Sequence, residues 1–252
     1  MLELVTGRTV DVADSEARHG WGCFETLRVE NGLPCWLERH LARLAGGCAF
    51  LGLEPPPPPE AVRAFLVGPP RPEPDVSGTL RLIAVDGCLR VRLDGRPAPP
   101  DEPIRACLSA RVTRWAASPL NRFKTLSYLE NRLLQREAVS QGAFESLALN
   151  ESGHLTDGGR STLLLRRGGR WLTPPVEDGA LPGIARGLLL EAGLVEEASL
   201  RPGELSGAEG AVLVNALRGV MVLEEVVGWC RWTGIPAGVD GLRRVLNEPP
   251  RA

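Results

Sequence analysis

The chain has 252 residues, of which 43% are hydrophobic and 24% are charged, and its net charge is −2. These values are ordinary for a globular protein with one large domain or two small ones. The small net charge gives no electrostatic support for binding nucleic acid or an anionic membrane. No apolar run approaches the roughly 20 residues that span a bilayer, and the N-terminal residues do not resemble a signal peptide. We therefore expect a cytoplasmic protein that binds neither nucleic acid nor a membrane.

The first 112 residues predict a small α/β domain. Asn31-Gly32 is a favoured two-residue turn between strands, and residues 37–51 predict a helix with an apolar stripe at Leu37, Leu41, Leu44, Cys48 and Leu51. The predicted strands of this domain cover residues 2–5, 8–12, 23–29, 33–37, 79–85, 89–93 and 104–112. The last three of these complete a meandering sheet.

Residues 113–119 have no clear periodicity and predict a linker, after which residues 120–252 predict a larger second domain. Ser127 with Glu130 forms a capping box that starts a helix ending at Gly142. The apolar side of this helix is predicted at Leu129, Leu133, Leu134 and Ala138. A second helix is predicted from about 182 to 191, and strands are predicted at 146–149, 161–166, 171–173, 211–215 and 220–227.

Lys124 is the single lysine in a chain with 28 arginines. A guanidinium stays protonated in proteins, whereas an amine can lose its proton and attack a carbonyl. The helix predicted three residues further on favours an uncharged amine, because the positive end of a helix disfavours an ammonium. Lys124 is therefore a candidate for Schiff-base chemistry, although an ordinary surface lysine is the alternative.

Other positions suggest a site for a phosphorylated ligand. Gly183 opens the second predicted helix, where backbone N–H groups can bind phosphate. The turn at residues 215–217 directly follows a buried strand, as binding loops often do. Asp157 could be a turn residue or the partner of a protonated ring nitrogen. The six cysteines and three histidines are scattered, so we expect no metal site.

Five segments together resemble the fold-type IV pyridoxal-phosphate enzymes, which comprise branched-chain aminotransferases, D-amino-acid aminotransferases and aminodeoxychorismate lyases. The resemblance covers residues 20 to 226, nearly the whole chain. The segments, in chain order, are GWGCFETLRVENGLPCWLERHLARL, KTLSYLENRLLQREAVSQGAFESLALN, GHLTDG, LTPPVEDGALPGIAR and NALRGVMV. The resemblance implies an α/β protein of the α+β type, with two domains, the active site in the cleft between them, and a homodimer.

The resemblance also assigns roles to individual residues. Lys124 matches the lysine that carries pyridoxal 5'-phosphate as a Schiff base, and Tyr128 matches a tyrosine that bonds the ring hydroxyl. Arg43 matches the arginine that binds the phosphate. Asp157 falls where the family usually has a glutamate facing the pyridine nitrogen. The backbone amides expected to hold the phosphate belong to Ile184 and Ala185, and to Ala216 and Leu217.

Several positions depart from the family pattern. Asp157 is one methylene shorter than the usual glutamate, and Ala185 and Leu217 lack the threonine hydroxyls of many aminotransferases. Thr162 replaces a frequent asparagine, and Trp21 replaces a common aspartate.

The Asn215-Ala216-Leu217 turn and the short chain resemble the lyase members, whereas aminotransferases more often have Thr-Gly-Thr. The resemblance therefore favours an aminodeoxychorismate lyase of folate synthesis, with a branched-chain or D-amino-acid aminotransferase as the alternative. A binding protein that kept the fold without activity is a third possibility. Arg81 and Arg90 are candidates for binding the carboxylates of the substrate, and ordinary surface arginines are the alternative.

Overall fold

The structure is a computed structural model, and it describes residues 2–6, 16–67, 77–85, 88–95, 100 and 103–247. The described residues form two compact units. The first contains the described residues up to 95 together with Phe123–Tyr128, and the second contains residues 100 to 122 and 129 to 247.

The first unit is built on an antiparallel sheet whose described strands run in the order β1-β5-β4-β2-β3. The strands are β1 (Leu2–Thr6), β2 (Cys23–Glu30), β3 (Leu33–Pro34), β4 (Gly78–Val85) and β5 (Cys88–Gly95). The predicted hairpin turn is present, because Asn31 and Gly32 both have the positive φ, 51° and 75°, that this turn requires. Residues 8–12, predicted as a strand, lie outside the described residues, and Leu2–Thr6 pairs with β5.

Helix α1 (Leu37–Leu51) covers this sheet, and its bounds agree with the predicted helix. All five residues of the predicted stripe are buried and pack against Leu27, Leu80 and Leu82 of the strands. Burying each leucine stabilises the fold by about 1.5–3 kcal/mol. A second helix, α2 (Pro59–Val67), was not predicted, although Pro59 occupies the first helical position that proline favours.

The segment Phe123–Tyr128 belongs to the first unit because it pairs with the start of β2. The Phe24 amide donates to the Lys124 carbonyl at 2.8 Å, and the Leu126 amide donates to the Gly22 carbonyl at 2.8 Å. A side chain at Gly22 would not fit, since its Cβ would lie 2.6 Å from Leu126 Cδ1. This close approach fixes Lys124 beside β2.

The second unit is built on a mixed sheet in which the described strands run in the order β11-β10-β9-β12-β13-β6-β7-β8, and β14 pairs with β13. The strands are β6 (Ile104–Arg114), β7 (Glu145–Asn150), β8 (Leu155–Gly158), β9 (Thr162–Arg167), β10 (Arg170–Thr173), β11 (Val195–Glu197), β12 (Gly210–Asn215), β13 (Gly219–Val226) and β14 (Cys230–Arg231). Leu163 and Leu165 enter one core cluster and Leu164 enters another, as strand alternation requires.

The helices of the second unit are α3 (Leu129–Ser140), α4 (Ile184–Glu191) and α5 (Val239–Leu246). Helix α5 was not predicted, although Val239, Leu242 and Leu246 are buried on one face of it. In α3, Leu134 and Ala138 are buried as predicted, but Leu129 is 71% exposed, so its predicted burial is wrong. Glu130, predicted to close a capping box that starts at Ser127, accepts from Arg114 Nη1 at 2.8 Å, and α3 begins at Leu129.

The predicted position of residues 104–112 is also wrong. They belong to β6, which lies in the large sheet between β13 and β7 and is parallel to both. Parallel partners are distant in sequence, so the local pattern could not reveal them. The second unit therefore begins before the predicted linker at residues 113–119, and the first unit takes Phe123–Tyr128 from the predicted second domain.

Candidate functional site

Lys124 lies in a small aromatic setting within the first unit. Its Nζ donates to Tyr128 Oη at 2.9 Å and lies 4.2 Å from the ring centroid of Phe24 and 4.4 Å from that of Tyr128. The two rings meet edge to face, with centroids 5.0 Å apart. The ring faces stabilise an ammonium, which opposes the effect that we predicted from the helix. The lone amine is thus held half-buried and in contact with a phenol.

Arg43 is fixed by a buried carboxylate that the sequence analysis did not single out. Arg43 Nε donates to Glu25 Oε1 at 2.7 Å, and its Nη2 donates to Glu25 Oε2 at 2.8 Å. Glu25 lies on β2 and is fully buried, whereas Arg43 lies on α1. A fork of two parallel bonds sets the orientation of the guanidinium plane.

His40 completes this network from the same face of α1. Its Nδ1 lies 2.7 Å from Glu25 Oε2, and its ring is buried. Burial lowers the pKa of His40, although the bond to Glu25 opposes this effect. Burial alone would raise the pKa of Glu25, but Arg43 and His40 outweigh it and lower that pKa to about 2. Glu25 is therefore ionised and positions Arg43.

Asp157, the carboxylate predicted to face the ring nitrogen, is buried in the second unit. It lies on β8 and is 6% exposed. Its Oδ2 accepts from the Leu181 amide at 3.0 Å, and its Oδ1 lies 3.7 Å from Arg114 Nε. Arg114 is itself 7% exposed, and the sequence analysis missed it. Its position at the end of a strand, in a sequence with 28 arginines, gave no signal that distinguished it.

The start of α4 offers the backbone donors expected from the sequence. Ile184 and Ala185 are its first two residues, so their N–H groups have no carbonyl partner within the helix. Gly183 precedes them with a φ of −68°, which any residue can adopt. Glycine is favoured there by space, since a Cβ would lie 3.2 Å from Thr162 Oγ1.

The turn after β12 is organised by Asn215. Its Oδ1 accepts from the amides of Leu217 and Arg218 at 3.1 and 2.7 Å. Its Nδ2 donates to the Arg160 carbonyl at 3.3 Å and to Ser161 Oγ at 3.2 Å. The Leu217 amide, expected to bind phosphate, therefore already donates to a side chain. Asn215 is the residue that shapes this turn.

The two arginines considered for substrate carboxylates lie on neighbouring strands of the first unit. Arg81, on β4, is 44% exposed and forms an ion pair with Asp94, which also pairs with Arg92 at 2.8 Å. Arg90 lies on β5 opposite Ile83, and its side chain is outside the described residues. The pair with Asp94 ties Arg81 to its own sheet.

The described residues contain no group of three or more His, Cys, Asp or Glu side chains that could hold a metal ion. None of their helices is long and apolar enough to cross a membrane.

Comparisons with known proteins show which family the chain resembles. The family described as amino-transferase class IV matches residues 22–226. A bifunctional aminodeoxychorismate lyase / D-amino acid transaminase of Mycobacterium tuberculosis is 29% identical over 239 residues, covering 81% of each chain.

Solved structures show the same likeness over more of the chain. A candidate 4-amino-4-deoxychorismate lyase of Legionella pneumophila superposes with a TM-score of 0.86 at 25% identity, covering 96% of both chains. A second structure, also described as a candidate 4-amino-4-deoxychorismate lyase, has a TM-score of 0.76 at 31% identity and covers 96% of both chains.

Proposed function

Because the chain belongs to the class IV aminotransferase family, we propose that it is a 4-amino-4-deoxychorismate lyase that releases pyruvate and forms p-aminobenzoate. The members of this family depend on pyridoxal phosphate, and so does this chain. Aminotransferase activity toward D-amino or branched-chain acids is the second candidate. It is favoured by the relative from M. tuberculosis, whose name includes both activities.

The first unit has groups whose chemistry fits the cofactor. We propose that Lys124 binds its aldehyde carbon, because Lys124 is the single side-chain amine in the sequence. Tyr128 Oη, 2.9 Å from Nζ, would bond the ring hydroxyl. Arg43 would bind the phosphate, since its guanidinium is already oriented by Glu25 and retains a charge suited to an anion.

The second unit has a complementary set of donors and acceptors. Asp157 would accept a hydrogen bond from the protonated ring nitrogen, and Arg114 and the Leu181 amide hold its carboxylate in place. The amides of Ile184 and Ala185 at the start of α4 would bind the phosphate. We extend the proposal to the turn at Ala216 and Leu217, where the Leu217 amide would have to share its proton with Asn215.

In the proposed reaction the bound cofactor supplies an electron sink for the carbon that carries the substrate nitrogen. Once the substrate's own amine has displaced it, Lys124 Nζ would act as the general base that removes the proton from that carbon. Tyr128 Oη receives a hydrogen bond from Nζ and so holds the amine in place. An ionised Asp157 keeps the ring nitrogen protonated, because a nearby carboxylate favours a positive charge.

The Asn215 turn is the observation that favours a lyase. An aminotransferase must leave the amino group of its substrate on the cofactor and release a keto acid, and the Thr-Gly-Thr version of this turn offers two hydroxyls. Here those positions are Asn215 and Leu217, and Asn215 uses both ends of its amide within the protein. A lyase has no need to leave the amino group on the cofactor, because its product keeps the nitrogen.

The absorbance spectrum of the bound cofactor tests this proposal. We expect D-alanine, L-leucine and L-glutamate to convert the bound aldehyde to the amine form slowly or not at all. Aminodeoxychorismate should be turned over many times without such conversion. Rapid and complete conversion by L-leucine or D-alanine, reversed by a keto acid, would show that the aminotransferase is the correct function.

A further inference from the structure

Glu145 is a buried carboxylate that has no role in the proposed reaction. It begins β7 and is fully buried. Its Oε1 accepts from the amides of Gly159 and Ser146 at 3.1 and 3.3 Å, and its Oε2 lies 3.8 Å from Arg160 Nε. These contacts offset only part of the cost of burying the carboxylate.

The loop between β8 and β9 closes tightly over this carboxylate. A Cβ on Gly158 would lie 2.5 Å from Glu145 Cγ, so the loop leaves no space at that point. The Gly158 amide donates to the Ser161 carbonyl at 2.8 Å, which closes the loop on itself. Asp157 immediately precedes Gly158, and its position therefore depends on how this loop sits on Glu145.

The same carboxylate is connected to the turn after β12. Ser161 lies in the loop that closes over Glu145, and its side chain opposes the rise in the pKa of that carboxyl. Ser161 Oγ accepts from Asn215 Nδ2 at 3.2 Å, and Asn215 Oδ1 accepts from the amides of Leu217 and Arg218. Ser161 and Asn215 therefore connect the region of Glu145 to the Leu217 amide.

We infer that Glu145 is a positioning residue that holds residues 158–161, which directly follow Asp157, and, through Ser161 and Asn215, the turn at Ala216 and Leu217. The consequence for cofactor binding rests on the proposed function, which gives Asp157 and the turn contacts to the cofactor. The expected effect of Glu145 on the local stability of the two segments does not rest on the proposed function.

The protonation state of Glu145 decides how well it performs this role. Burial raises its pKa to about 7, although Arg160, Ser161 and the Gly159 amide oppose the rise. The charged or titratable groups facing it among the described residues are Arg160 in the loop and Cys107 on β6. Ionisation favours opening of the loop, since opening returns the carboxylate to water.

The variants Glu145→Gln and Glu137→Gln provide a test with a matched control. Glutamine at 145 keeps an acceptor for the Gly159 amide but cannot ionise. Glu137 is also buried in the second unit and accepts from a hydroxyl and an amide, Ser109 Oγ at 2.5 Å and Ala110 N at 2.9 Å. It has no described bond to either segment, so its variant reports the effect of losing a buried carboxylate elsewhere.

Hydrogen exchange of the cofactor-free protein is the first measurement. In the wild type, we expect the Gly159, Leu217 and Arg218 amides to exchange about threefold to tenfold faster at about pH 8.5 than at about pH 6, after correction for intrinsic rates. Glu145→Gln should remove this difference and Glu137→Gln should keep it. Equal pH dependence in all three proteins would overturn the inference, as would its loss in Glu137→Gln.

Affinity for pyridoxal phosphate is the second measurement. The ratio of the wild-type Kd to that of Glu145→Gln cancels the ionisation of the ligand and of Lys124. We expect a ratio near one at about pH 6 that rises about threefold to tenfold by about pH 8.5. A ratio independent of pH would overturn the link to cofactor binding. Complete failure to bind the cofactor, with the expected hydrogen exchange, would refute the proposed function and leave the positioning role intact.

Ser161→Ala keeps the test decisive if Glu145→Gln does not fold. This change leaves the carboxylate and breaks only its connection to Asn215. The Leu217 and Arg218 amides should exchange faster at every pH, while the Gly159 amide should keep its wild-type rate. Unchanged exchange at Leu217 and Arg218 would show that Ser161 does not connect the carboxylate to the turn, and the inference would fail.

Discussion

Glu25 in the first unit and Glu145 in the second are both fully buried carboxylates, yet their pKa values are shifted in opposite directions. Burial acts on both in the same sense, toward a raised pKa. At Glu25 it is outweighed by Arg43 and His40, and the pKa falls to about 2. At Glu145 it is not outweighed, and the pKa rises to about 7.

The difference comes from the geometry of the nearest cation. Arg43 donates two hydrogen bonds to Glu25 at 2.7 and 2.8 Å, whereas Arg160 Nε approaches Glu145 no closer than 3.8 Å in the described contacts. A charge-assisted bond made by both oxygens offsets burial, and an unbonded cation at nearly 4 Å does not. The first unit therefore holds a fixed charge, and the second holds a carboxylate that can titrate near neutral pH.

The largest expected effect concerns the one group of the first unit that must lose a proton to act. Lys124→Arg keeps the positive charge and similar bulk, but a guanidinium cannot bind the aldehyde or act as a base. We expect a folded protein whose turnover of aminodeoxychorismate is reduced by on the order of a thousandfold or more. Circular dichroism is the control for folding, and substantial steady turnover would exclude the proposed mechanism.

The opposite shifts of the two glutamates predict opposite effects of pH on stability. Glu25, with its lowered pKa, stabilises the fold above about pH 4.5, and this contribution is lost as pH falls through about 2. Glu145, with its raised pKa, favours the fold below about pH 4.5, and this contribution is lost as pH rises through about 7. Each shift corresponds to on the order of 3 kcal/mol.

Urea unfolding of two variants across this pH range sharpens the comparison. The advantage of the wild type over Glu25→Gln should shrink as pH falls from about 4.5 toward 2. The stability of Glu145→Gln relative to the wild type should increase as pH rises from about 4.5 to 7. Parallel curves for the two variants would mean that the two carboxylates do not differ as described.

A smaller effect is expected at Arg43, which tests whether the guanidinium oriented by Glu25 binds the phosphate of the cofactor. Arg43→Ala should weaken pyridoxal phosphate binding about tenfold to a hundredfold and pyridoxal binding much less, because a bond to a charged group contributes about 1.5–3 kcal/mol. Arg63→Ala is the matched control, since Arg63 pairs with an exposed Glu38. Equal losses for the two ligands would show that Arg43 does not bind the phosphate.

The local sequence pattern was sufficient to predict part of this fold. The bounds of α1 and the Asn31-Gly32 turn were predicted correctly, because an apolar stripe and a positive-φ pair are encoded in neighbouring residues. The sheet that contains β6 was not, because its partners β7 and β13 are distant in sequence. Helix α5 was also not predicted, and its eight residues span little more than two turns.

The sequence predicted those candidate site residues that are unusual in the composition or that match a family motif. Lys124 stood out as the single lysine, and the resemblance to known enzymes identified Arg43 and Asp157. Glu25, Arg114 and Glu145 were missed, because each acts through a partner that folding brings to it. Nothing in the sequence around Glu145 shows that it packs against Gly158, the residue after Asp157. These supporting residues are identified only by interatomic distances in the folded structure.

The formation of products from aminodeoxychorismate tests the central proposal most directly. The purified protein with pyridoxal phosphate should release pyruvate and p-aminobenzoate in equal amounts, over many turnovers and without any added keto acid. Lys124→Arg should release neither. Absence of both products from the folded, cofactor-loaded wild type, or a requirement for a keto acid as amino acceptor, would contradict the assignment as a lyase.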